Sequence, residues 1–250
     1  MDIGICVGLR EDKKNLEKYV KANCKYFKLS LPFDAKKKEI DDIFKFFNKY
    51  EIQVYVVLNT IVQTPIQSDP LHPYMTEKIG VFQRRVAQLC SWIPKKYVLG
   101  ICSIENIHLA ARTHMGSLYG IDRKNIVSLI NDCHDKVRKA GFKAVFSIIG
   151  DEICHGTWDL VSCDIYDIHS MLSRNTKFQM SKIESDRPIW LGSAGTYGGF
   201  LLKSQQLSFI KRLKEHGEGL AEFAFIYSRP NVERHSWFQG KDLIIDFNKI

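Results

Sequence analysis

No apolar run in this chain approaches the ~20 residues that a helix needs to cross a bilayer, so no membrane span is expected. The first residues lack a basic stretch followed by an apolar one. They enter a strand-like segment almost at once, Asp2-Ile-Gly-Ile-Cys-Val7, and no signal peptide is expected. The seven cysteines (Cys6, Cys24, Cys90, Cys102, Cys133, Cys154 and Cys163) contain no Cys-x-x-Cys pair, which argues against a zinc ribbon or a thioredoxin-type site. The eight histidines contain neither His-x-His nor His-Glu-x-x-His. Neither a dedicated metal site nor a cofactor is expected. No Gly-x-Gly-x-x-Gly follows the first strand; Gly4 and Gly8 lack that spacing, which argues against a doubly wound dinucleotide-binding sheet. Repeats, low-complexity segments and interdomain linkers are also missing.

Acidic residues are fewer than basic ones, 28 against 36, for a net charge of +8. Much of the excess is spread over helix-like segments, as in Lys13-Lys14 and Lys36-Lys37-Lys38. A solvated face accounts for most such lysines, and a nucleic-acid or other polyanion partner stays open. The cysteines are odd in number, and four lie in or beside apolar runs, where a free thiol behaves as a small buried hydrophobe. A reduced, cytoplasmic protein is the expectation.

With 45% hydrophobic residues over 250 positions, the chain can build a sizeable core. Strand-like segments at 3–7, 26–31, 54–58, 97–104, 144–149, 163–168, 189–191 and 221–226 alternate with helix-like ones. The helix over 36–49 carries Ile40, Ile43, Phe44 and Phe47 at helical spacing, and Gly141 and Gly217 stand where two later helices should stop. Eight strands alternating with helices imply parallel strands with helical crossovers. The fold expected is a single α/β domain over 1–250, a closed (β/α)8 TIM barrel. Two long connections, at 60–75 and 107–121, are where such a barrel carries function.

Strand side chains alternate between faces. Phe27, Leu29 and Leu31 should face the helices, which places Lys28 inside the barrel; likewise Val54, Val56 and Leu58 outside leave Tyr55 and Asn59 inside. Glu105 follows the fourth strand, on the reaction face of such a barrel. The expected mouth therefore holds Lys28, Asn59, Glu105, His169 and Tyr227, with Asn106 beside Glu105. A lysine in the lumen needs a partner, and Glu105 is the natural one. A Lys28–Glu105 ion pair that merely fills the lumen is the plain alternative.

The stretch over 97–238 resembles the retaining glycosidase barrels of clan A, which include cellulases and xylosidases. Glu105 stands where those enzymes carry the acid/base glutamate. Asp164-Ile-Tyr-Asp-Ile-His169 is similar to their sixth strand ending in histidine. Arg187-Pro-Ile-Trp-Leu191 is similar to the strand that delivers their nucleophile, and Phe223-Ala-Phe-Ile-Tyr227 resembles their eighth strand. The resemblance implies a glycoside hydrolase acting on a carbohydrate, with Glu105 as general acid/base.

Two positions depart from that pattern. Ile104 precedes Glu105 where the family usually has asparagine. Where the nucleophilic glutamate should stand, the chain reads Gly192-Ser-Ala-Gly-Thr-Tyr197, so Ser193 holds the position. A retaining site needs two carboxylates about 5 Å apart. Asp151 and Glu152, after the fifth strand, are nearest in barrel order to supply the second; an ordinary loop or helix cap is their plain reading. An N-acetylated substrate could supply its own nucleophile, or the barrel could bind a glycan or protein partner without cleaving it. His169 could bind a sugar hydroxyl, and Tyr197 and Trp237 could stack on sugar rings. Convergence of Glu105, Asp151 and His169 on a cation would instead suggest a sugar isomerase or metal-dependent phosphoesterase.

Overall fold

The computed structural model describes residues 1–59, 79–104, 123–149, 160–169, 185–194, 203–226, 238–239, 242–243, 245 and 247. Eight parallel strands close into a barrel in sequence order: β1 (Asp2–Gly8), β2 (Tyr26–Pro32), β3 (Gln53–Asn59), β4 (Val98–Cys102), β5 (Ala144–Ile149), β6 (Ile165–His169), β7 (Ile189–Ala194) and β8 (Phe223–Ile226). Pairing of Asp2–Ile5 with Phe223–Ile226 joins the last strand to the first. The chain is a (β/α)8 barrel, as the alternation implied. Five helices are described: α1 (Lys13–Lys21), α2 (Lys37–Lys49), α3 (Ile79–Trp92), α4 (Arg123–Lys139) and α5 (Lys203–Gly217).

Local chemistry sets these helices. Asp12 caps α1 by accepting the Lys14 backbone N–H at 2.9 Å. At the start of α2, Glu39 reaches back to accept the Lys36 N–H at 2.8 Å. The apolar stripe Ile40, Ile43, Phe44 and Phe47 is the buried face of α2. Gly141 ends α4 in the left-handed region (φ 86°), with its N–H donated to Arg138 and that of Phe142 to Val137. The end of α5 differs from expectation. Gly217 is still helical, and the left-handed turn falls at Gly219 (φ 81°). A side chain at Gly217 would press on the flexible end of Met1, which would have to shift.

Two cores follow from strand alternation. The larger lies between barrel and helices and includes Phe27, Leu29, Leu31, Val54, Val56 and Leu58. The smaller fills the lumen with Tyr55, Val57, Cys102, Val145, Ile165, Trp190 and Phe225. Trp190 meets Tyr55 edge-on, with ring centroids 5.1 Å apart. Small residues make room for these rings. A Cβ at Gly4 would strike Tyr26 and Phe225, and one at Gly100 would strike Val145. β7 is longer than its apolar run suggested. It continues through Gly192 and Ser193 to Ala194, with a register shift between Leu191 and Ala194 against β8. Such bulges re-aim a strand and are common beside active sites. The apolar tail packs home: Ile245 is buried, and Leu243 and Phe247 lie against the outer core.

Candidate active site

A polar layer sits in the lumen beside the aromatic one. It is built by one inward residue from each of five positions on four strands: Lys28 on β2, Tyr55 on β3, Ser147 on β5, and Asp167 and His169 on β6. Asp167 is fully buried (0% exposed), Lys28 is 3% exposed and His169 9%. His169 is the last residue of β6, so it stands at the carboxyl end of the barrel, the reaction face of this architecture.

The carboxylate of Asp167 organises the layer. Its Oδ2 accepts from Lys28 Nζ at 3.1 Å and from the Tyr55 hydroxyl at 2.5 Å. His169 Nε2 lies 3.4 Å from that same oxygen, 3.0 Å from Lys28 Nζ and 3.0 Å from Ser147 Oγ. The Lys28 ammonium also lies over the Tyr55 ring, 5.1 Å from its centroid. Burial alone would push the Asp167 carboxyl up. The nearby Lys28 ammonium, together with the neighbouring His169 and the hydrogen bond from the Tyr55 hydroxyl, outweighs it and holds the group below the usual carboxylate range. Asp167 is therefore an anion that neutralises a buried cation.

The second oxygen, Oδ1, has no hydrogen-bond partner among the described residues. It rests over Gly192 of β7, where a Cβ would overlap it. The missing side chain on β7 is thus what admits a carboxylate from β6.

The sequence-derived candidates fall into three groups. Lys28 and His169 are brought together in the layer just described. Asn59 closes β3, in register with Pro32, and Ser193 lies in the irregular part of β7; for these two only the backbone is described. Glu105, Asn106, Asp151, Glu152, Tyr197, Tyr227 and Trp237 lie outside the described residues. Among the described residues Lys28 meets the carboxylate of Asp167; Glu105, the partner offered from the sequence, lies outside them. The β4 ladder stops at Cys102, which points into the lumen, while Ile101 and Ile104 pack in the outer core.

Asp167 and Ser147 were missed. The signal was present on β6, because Asp167 has the parity of His169. Ile165 is also inward, and Ile168 packs in the outer core. Among the described residues no cluster of three or more His, Cys, Asp or Glu side chains could hold a metal ion. No described helix is long and apolar enough to cross a membrane.

No protein-family model matches the chain, and no curated protein matches it in sequence. Solved structures match it in shape. A GH5_18 protein from Bifidobacterium longum subsp. infantis superposes with a TM-score of 0.70 at 13% identity, over 100% of this chain and 77% of that one. A GH5-4 broad specificity endoglucanase from an uncultured bacterium gives 0.70 at 10% identity, over 100% and 94%. A GH113 β-1,4-mannanase gives 0.66 at 11% identity, over 91% and 88%. In fold, this chain is a (β/α)8 barrel similar in shape to these structures.

Proposed function

We propose that this protein acts on a carbohydrate as a glycoside hydrolase, with Glu105 as general acid/base. The observation that carries the reading is the position of His169. It closes β6 on the reaction face, anchored by a buried ion pair, in a barrel whose shape is shared with mannanases and endoglucanases. Glu105 follows β4 by three residues and belongs by chain position to the same end. Glu105→Gln should abolish release of the aryl group from a panel of aryl glycosides while leaving the far-ultraviolet circular dichroism unchanged. Equal turnover by both proteins would reject the role.

A second reading has its own support. The described end of β7 carries Gly192, Ser193 and Ala194 and no carboxylate, and the volume beside Gly192 is taken by Asp167. Asp167 is fully buried and paired, which suits structure better than attack on a sugar. Without a carboxylate from Asp151 or Glu152, cleavage would have to be substrate-assisted, or the barrel would only bind. Product released from an aryl N-acetylhexosaminide, and lost in Glu105→Gln, would exclude binding alone. Saturable glycan binding with no product would exclude the hydrolase.

A further inference from the structure

Two basic groups, Lys28 and His169, share one carboxylate in the lumen, and their own nitrogens are 3.0 Å apart. A lysine ammonium has three N–H donors and no acceptor. If Lys28 is charged, the His169 nitrogen facing it must accept and carries no proton. The reverse assignment puts the proton on Nε2 and makes Lys28 a neutral amine. Ordinary basicity opposes that by a wide margin, about 10.4 for an ammonium against about 6.5 for an imidazole. The carboxylate does not invert the order. Its Oδ2 is 3.1 Å from Lys28 Nζ and 3.4 Å from His169 Nε2, so it attracts a proton on either nearly equally, with Lys28 slightly ahead.

We propose that Lys28 is a positioning residue that fixes the ring proton of His169 on Nδ1. Asp167 neutralises Lys28, so the pair sets the tautomer and itself carries no net charge. The other described groups around the ring agree. Tyr55, from β3, donates to Asp167, and Ser147, from β5, can donate to Nε2. Whatever His169 meets through Nδ1 is then an acceptor, such as a hydroxyl oxygen of a neutral sugar. The sugar rests on the carbohydrate reading above; the proton's place does not.

The test is a long-range proton–nitrogen spectrum of the intact protein labelled with 15N-histidine at pH 7. The His169 signal is assigned by its loss in His169→Asn. Expected is the Nδ1–H pattern, the less common tautomer of histidine in water. The double variant Lys28→Met with Asp167→Leu removes both charges together, because either alone would leave a buried charge unpaired. In it the Nδ1–H preference should be lost, in favour of Nε2–H, a mixture or the doubly protonated ring. An Nε2–H or doubly protonated ring in the wild type overturns the proposal, as does an unchanged tautomer in the folded double variant. Should that variant not fold, the wild-type spectrum decides alone. Failure of the hydrolase reading would appear as absent turnover with the tautomer intact.

Discussion

Gly192 and the Asp167 carboxylate share one volume between β6 and β7. An added methyl there meets an oxygen that cannot swing away, because its partner oxygen is held by Lys28 and Tyr55. Gly192→Ala must therefore displace Asp167 and break a buried ion pair. Breaking such a pair costs about 3–5 kcal/mol. Gly8, on the inward side of β1, is the control, because a Cβ there meets nothing within 4 Å among the described residues. Chemical denaturation should show a large fall in midpoint for Gly192→Ala and a change within about 1 kcal/mol for Gly8→Ala. Equal midpoints for the two variants would show that Asp167 does not depend on the bare β7 backbone.

At the scale of elements, α4 is tied to the segment leading into β6 by His134 and Arg138. His134 is buried, and its Nδ1–H donates to the Ser162 carbonyl at 2.7 Å. Arg138 Nε and Nη2 donate to the Asp164 carboxylate, which also accepts the Ala144 N–H of β5 at 2.7 Å. Burial drives the His134 pKa down to about 4. The imidazole is then neutral in the fold but takes a proton in the unfolded chain below about 6.5. Stability linked to it is complete above about pH 6.5 and is lost as pH falls towards 4, by about 3 kcal/mol. Asp167 acts lower. Its stabilisation fades only as pH drops below the unfolded carboxylate value of about 3.9. His134→Asn keeps a donor for Ser162 and cannot titrate, so its stability should be flatter between pH 6.5 and 4. Unfolding curves across that window would check this, and parallel pH slopes for the two proteins would count against the buried neutral histidine.

Across the whole molecule, the barrel and its helices bury thiols on several elements. Cys24, Cys90 and Cys133 are buried, and burial above all pushes each pKa up to about 12. A thiolate is the reactive form. At pH 8 these three should resist alkylation in the native protein and label fully in denaturant, as read by peptide mass mapping. Native labelling of any of them faster than global unfolding would show that the outer core opens locally.

The barrel was legible in the sequence because its signal is local. Period-two alternation told Phe27, Leu29 and Leu31 from Lys28, and the 3.6-residue stripe on α2 named its buried face before any contact was known. Both rest on each element having one side to bury. The lumen was legible only in part. Parity sent Lys28 and Tyr55 inward; Glu105, the partner proposed for Lys28 after β4, lies outside the described residues. The carboxylate that meets it among the described residues is Asp167, 139 positions along the chain. Parity along β6 could have turned Asp167 inward, yet no local pattern states which inward residues meet across a closed barrel. That depends on strand stagger, on the bulge in β7 and on a glycine that leaves space. Closure of the sheet brings β2 and β6 to opposite walls of one lumen, and only then do a lysine, a carboxylate and an imidazole become neighbours.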